Sequence, residues 1–323
     1  MNQTETTLST QKILSIAGLV LFGSLALWLF GSNIKIQMLE VISLIILGAG
    51  IGAYGTMVGI GGGPLLVPVF LLVYKMAPVN VVATSLCVIF FNVFSGTLAY
   101  SQFKRIDTVS GVKFGIAAIP GAMLGSFLLP FISVRFFELI LGTLFLLLSC
   151  YIIAELILAF TLKKTMKELR GMQLRNISVD FFKSWKRTDR IIVDHNNKNY
   201  FYKVNEKLGI IVTSIVGFIA PIIGTGGGTL HVPLLNKVLG FPIHIATATA
   251  TFQLMIVVLF ALVPYISMDA IDYHIALPTA IGTLFGARLG ATYSNKISEE
   301  KLFLALAVVL SILSIRLLLL SIG

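Results

Sequence analysis

Charge is scarce in this chain. Only 12% of its 323 residues are Asp, Glu, Lys or Arg, about half the share with which soluble domains cover their cores, and that shortage excludes a soluble enzyme. Cysteine is scarcer still: Cys87 and Cys150 both lie in apolar runs, without a disulfide framework or metal-ligand spacing, and read as small buried hydrophobes. No Gly-x-Gly-Asp, His-Glu-x-x-His or Gly-x-Ser context falls within a span, and the glycine runs fit neither a Walker nor a Rossmann fingerprint. An intramembrane enzyme therefore lacks its reacting groups, and neither a cofactor nor a metal is expected.

What fills the chain is apolar. Hydrophobic residues make up 57% of it, in runs near the roughly 20 residues that cross about 30 Å of hydrocarbon. The runs fall at about 13-30, 39-58, 63-74, 79-101, 108-131, 136-160, 208-223, 228-239, 243-265, 270-294 and 302-320. The fold expected is an all-α polytopic membrane protein embedded in a lipid bilayer. Met1 to Thr10 lacks a charged n-region, so the first run reads as a retained extra span. The 63-74 and 228-239 runs are short, about 18 Å as helices, and read as half-helices or strongly tilted segments. Both follow glycine clusters, which is the pattern of broken helices at a transporter site.

The net charge of +10 is concentrated in one place. Residues 163-207 hold 12 of the 24 Lys and Arg and 5 of the 14 Asp and Glu, so they carry +7 and the rest of the chain +3. Such a stretch reads first as a cytoplasmic topology determinant, not as a nucleic-acid surface. Within it Arg190–Asp194 and Tyr200–Val204 flank a polar turn, as a small β-hairpin would. The organisation expected is 1-34 as tail and extra span, 35-162 as a first membrane repeat, 163-207 as a basic insertion and 208-323 as a second repeat.

The repeat can be read residue by residue. With a constant offset of 165 and no gap from Gly52 to Ser133, 22 of 82 positions are identical. Gly59, Gly61, Gly62, Gly63, Val67 and Pro68 fall on Gly224, Gly226, Gly227, Gly228, Val232 and Pro233; Ala83-Thr84 falls on Ala248-Thr249 and Asp107 on Asp272. Hydrophobic composition alone does not place glycines and prolines in register. Counting both short segments as crossing, each repeat holds five, and an odd number inverts the second copy; a re-entrant short segment changes that count. Charge agrees: Lys104-Arg105, Lys237 and Lys296 to Lys301 lie on the side of the basic stretch, whereas the turn with Asp269 and Asp272 has no Lys or Arg. The N-terminus is then cytoplasmic.

The two motifs Gly59-Ile-Gly-Gly-Gly-Pro64 and Gly224-Thr-Gly-Gly-Gly-Thr229 each read as a loop opening a helix N-terminus. Two such termini near the midplane make an anion site from backbone N–H groups, with Gly61, Gly62, Gly63, Gly226, Gly227, Gly228 and Thr229 as candidates. Thr84, Ser85, Asn92, Thr249 and Gln253 carry donors in the next span of each half, where interhelical hydrogen bonding is the alternative role. His231 stands where the first repeat has Leu66, and Arg288 where it has Met123. His231 is the candidate for anion pairing or proton coupling, with Glu155 as the second proton candidate; Arg288 either forks onto an anion or snorkels to headgroups.

The duplicated glycine motif, the Ala-Thr pairs and Gly286-Ala-Arg-Leu-Gly290 together resemble the TauE/SafE family of sulfite exporters, across both halves. That resemblance implies a multi-pass secondary carrier of sulfite, sulfonates, thiosulfate or related organosulfur anions in a prokaryotic plasma membrane. A gated anion channel is the rival reading, since inverted repeats and half-helix dipoles serve channels as well.

Overall fold

The computed structural model describes residues 34–168, 188–195, 197–294 and 299–322. The expected span at 13-30 and much of the basic stretch lie outside the described residues. Among those described, ten α-helices and one two-stranded sheet form. The first half holds α1 (Ile34–Val58), α2 (Gly63–Leu72), α3 (Pro78–Gln102), α4 (Thr108–Leu128) and α5 (Val134–Glu168). Strands β1 (Thr188–Val193) and β2 (Asn199–Val204) follow, then α6 (Glu206–Ile223), α7 (Gly228–Pro233), α8 (Ile243–Ser267), α9 (Tyr273–Tyr293) and α10 (Glu299–Ile322).

Seven of these helices are long and apolar enough to cross a membrane. The 21-residue α9 is not among them, because His274, Arg288 and three threonines dilute its apolar run. The 10-residue α2 is one of the short ones, about 15 Å long and so half the hydrocarbon thickness. Its counterpart α7 runs six residues and continues as a π-helical turn, Leu234–Val238.

Packing pairs the halves rather than separating them. Helices α3 and α8 sit at the centre, α1 runs along α9, α4 along α6 and α5 along α10. Close approach is set by small residues: a Cβ at Gly282, Gly286 or Gly290 of α9 would stand 2.1 to 2.2 Å from the Ile45, Ala49 or Ala53 carbonyl oxygen of α1. On the matching surface Gly121 and Gly125 of α4 meet Ser214 and Phe218 of α6 in the same way. Contacts also exchange under the 165 offset. The Tyr100 hydroxyl donates to Thr56 O and the Tyr265 hydroxyl to Pro221 O, at 2.8 and 3.1 Å. Asp107 caps α4 through the Ser110 N–H and Asp272 caps α9 through the His274 N–H.

The hairpin is antiparallel, pairing Thr188 with Val204 and Val193 with Asn199. It lies against the chain at one end of the bundle. Tyr202 and Val204 pack with Phe114, Leu208, Leu239 and Phe241, and the Tyr202 hydroxyl donates to Asp107 at 2.8 Å. Burial first, and then the Asp107 carboxylate, holds the Tyr202 hydroxyl above the ordinary phenol range. Arg190 and Lys113 each donate to Glu206 at 2.6 Å, tying the hairpin, α4 and α6 together.

Candidate functional site

The two glycine motifs fold as turns whose backbone only glycine adopts readily. Gly59, Gly61 and Gly62 have φ of 81, 71 and 83°, and Gly224, Gly226 and Gly227 have 74, 67 and 88°, values in the left-handed region. Gly62 caps α2 and Gly227 caps α7. A helix leaves its first N–H groups without internal partners. At α2 these are the Gly62 and Gly63 amides, since Pro64 has none, and Leu65 N–H turns back to Gly62 O at 3.1 Å. At α7 they are the Gly227, Gly228 and Thr229 amides, with Leu230 N–H turned back to Gly227 O at 3.0 Å.

The loops press against each other. A Cβ at Gly63 would lie 2.5 Å from Thr225 Cα, and a Cβ at Gly228 2.5 Å from Ile60 Cα. Both loops and both helix starts are buried. Two positive helix ends are thereby set side by side at the heart of the bundle.

On the same and neighbouring helices lie buried polar side chains with no hydrogen-bond partner among the described residues. Ser85 Oγ, Asn92 Nδ2 and Thr97 Oγ1 come from α3, Thr229 Oγ1 and His231 Nε2 from α7, and both amide atoms of Gln253 from α8. Asn92 Nδ2 lies 3.8 Å from the Cβ position of Gly62, while its Oδ1 accepts from the Thr56 hydroxyl at 3.2 Å. His231 folds back over its own cap, with Nδ1 2.8 Å from Gly227 O. Geometry therefore assigns the proton to Nδ1, which leaves Nε2 as an acceptor. None of the six residues has a polar counterpart: at the offset of 165 stand Ala250, Val257, Leu262, Pro64, Leu66 and Val88. A near-symmetric backbone is thus lined by asymmetric side chains.

The remaining candidates lie elsewhere. Thr84 Oγ1 accepts the Asp272 N–H and Thr249 Oγ1 the Asp107 N–H, each at 3.0 Å. These two hydroxyls fasten each half's central helix to the cap of the other half's next one. Arg288 is exposed on the side of α9 away from its glycine face, and the structure does not bring it to the cluster. Glu155 is on α5, and its side chain lies outside the described residues. Thr97 and Thr56 escaped the sequence reading. A polar residue within a span was the available signal for both, and Thr56 stands only three residues before Gly59.

Comparison with known proteins agrees with this architecture. The family model "Sulfite exporter TauE/SafE" matches residues 6–152 and 44–317. The chain is 28% identical over 286 residues to the "Probable membrane transporter protein YunE" of Bacillus subtilis (strain 168), covering 86% of this chain and 97% of that protein. It is 25% identical over 290 residues to a probable membrane transporter protein of Methanocaldococcus jannaschii, covering 85% and 94%. No solved structure matches. With its seven apolar spans and a family match over nearly its whole length, the chain belongs to the TauE/SafE sulfite exporter family of membrane transporters, not to an enzyme family.

Proposed function

We propose that this protein is a secondary transporter of sulfur-containing anions, that it works by alternating access, and that backbone N–H groups of the two glycine loops hold the anion near the bilayer midplane. The observation that carries this reading is the group of buried polar side chains without partners among the described residues, with Asn92 and His231 against the paired helix N-termini. A buried polar atom without a partner costs about 1–3 kcal/mol, and an apolar surrounding gives no relief. A fold that keeps six such residues on α3, α7 and α8 is built to receive something polar. Five backbone amides, the Asn92 and Gln253 amides and three hydroxyls supply donors without a fixed positive charge, which suits a small oxyanion that must also leave.

Sulfite, thiosulfate and small sulfonates present the outward-facing oxygens that such donors meet. His231 adds a proton route, because Nε2 becomes a donor to the anion once protonated. With α2 and α7 counted as crossing, five helices per half make the second half inverted, and the positive-inside rule puts the hairpin end in the cytoplasm of a prokaryotic cell. Thr84, Thr249 and Arg288 stand outside this site.

Counterflow tests the reading. Proteoliposomes preloaded with unlabelled sulfite should draw in radiolabelled sulfite against its gradient, saturably, and taurine or acetate in place of the internal sulfite identifies the anion class accepted. Conductance without counterflow would mark the gated channel instead.

A further inference from the structure

Asp107 follows α3 and its N–H is held by Thr249 near the start of α8; Asp272 follows α8 and its N–H is held by Thr84 near the start of α3, each at 3.0 Å. The two central helices therefore run antiparallel, and the two aspartates stand at opposite ends of the pair. Beyond these matched bonds the ends differ. Among the described residues the Asp272 carboxylate accepts the His274 and Ile275 amides at the start of its own helix. The Asp107 carboxylate accepts the Ser110 N–H and hydroxyl, and then meets two groups that neither repeat supplies: the Tyr202 hydroxyl donates to it at 2.8 Å, and the Arg190 guanidinium lies 3.8 Å away. Both come from the hairpin, which lies between the repeats and so occurs once.

The hairpin holds more than one helix. Arg190 also pairs with Glu206 at the start of α6, and Lys113 of α4 pairs with the same carboxylate, each at 2.6 Å. Beneath these bonds Tyr202 and Val204 share a buried core with Phe114 of α4, Leu208 of α6, and Phe241 and Ile245 at the entry to α8. The rings of Tyr202 and Phe241 stand 4.8 Å apart. Opening this end must part α4, α6 and α8, because all three contribute to that core, and each separation also breaks a contact with the hairpin.

We propose that the hairpin is a clamp that holds its own end of the bundle shut and so biases the protein toward the state open at the Asp272 end. Two inverted halves alone give the two states nearly equal standing, and the clamp supplies the difference. The bond from the Tyr202 hydroxyl to Asp107 is the part of it that can be removed with the packing kept, since phenylalanine leaves the ring against Phe241. A hydrogen bond to a charged group shifts such a balance by about tenfold. The bias between two states rests on the alternating-access reading above; the hold of the hairpin on its own end does not.

Thiol labelling of the full-length protein in detergent tests the clamp, with a water-soluble maleimide and single cysteines in a background where Cys87 and Cys150 are alanine. Thr247→Cys reports on the hairpin end and Val82→Cys, its partner at the offset of 165, on the other. Thr247 packs on Gly59 and Val82 on Gly224, and both are buried. If the hairpin end is open about a tenth of the time, a tenfold shift takes that share to about half. Tyr202→Phe should then speed labelling of Thr247→Cys about fivefold and slow that of Val82→Cys about twofold. Tyr200→Phe, which removes a hairpin hydroxyl that does not bond to Asp107, should change neither. Unchanged labelling at both positions, faster labelling at both, or the same shifts in Tyr200→Phe overturns the proposal. Sulfite counterflow separates the two readings. Reciprocal labelling without counterflow keeps the clamp and removes the proposed substrate, whereas counterflow with labelling indifferent to Tyr202→Phe sinks the clamp alone.

Discussion

Replacing Gln253 with methionine should make the protein more stable and less able to bind its anion. Gln253 is fully buried on α8, and neither its amide nitrogen nor its amide oxygen has a partner among the described residues. Each such atom costs about 1–3 kcal/mol, and methionine keeps the unbranched shape without the polar atoms. Gln253→Met should therefore raise anion-free stability by about 2 kcal/mol or more. For a chain of this size that means an increase in Tm of several degrees, at about 2–4 °C per kcal/mol.

Anion binding should move the other way. At a hundredfold excess over Kd an anion stabilises the folded state by about 2.7 kcal/mol. Removing a hydrogen bond to a charged ligand costs about 1.5–3 kcal/mol, which weakens binding roughly 10- to 160-fold. At the same anion concentration the variant should gain only about 0.3–1.3 kcal/mol. The assay is thermal unfolding in detergent with and without sulfite. A lowered Tm without anion would show that the Gln253 amide has a structural partner, and a full anion shift in the more stable variant would remove Gln253 from the site.

Other substitutions separate the scaffold from the site. Gly63→Ala and Gly228→Ala each place a Cβ 2.5 Å from the opposing loop backbone, and thermal unfolding should show losses of about 1–3 kcal/mol; an unchanged Tm would mean that the loops do not touch. Thr84→Val and Thr249→Val each leave a capping N–H unpaired and should cost similar amounts, about 1–3 kcal/mol, with sulfite affinity intact; loss of affinity in either would return that hydroxyl to the site. If the anion binds together with a proton on His231, affinity should strengthen as pH falls, and His231→Gln should flatten that profile; a slope that survives moves the proton role to Glu155. A cysteine at the exposed Phe201, in a background where Cys150 is serine, should resist impermeant thiol reagents in intact cells; labelling from outside would invert the topology.

Much of this architecture was written in the sequence because two of its signals are local. Span length and hydropathy depend only on neighbouring residues, and positive φ confines the six loop positions to glycine, so a backbone device used twice leaves the same letters twice. Contacts across the halves leave no such trace. Nothing near Thr84 in sequence announces the Asp272 amide that it accepts, and nothing near Arg105 announces a carboxylate from the hairpin. The exposure of Arg288 was readable in principle: Gly286 and Gly290 face α1, and a residue two further on is rotated about 200° to the opposite side. α9 looked like any other span by length, yet its threonines and its glycine face belong to a helix packed against α1 and α3, which needs less apolar surface than a helix facing lipid.

The claim at the centre of this account is that an oxyanion sits between the two glycine turns. Anomalous diffraction from crystals soaked in selenite, the heavier analogue of sulfite, tests it directly. The account predicts a selenium peak whose oxygens lie about 2.7–3.2 Å from the amide nitrogens of Gly62, Gly63, Gly227, Gly228 and Thr229, lost in Gly227→Ala. Selenium bound only elsewhere, with those amides bare, would contradict it.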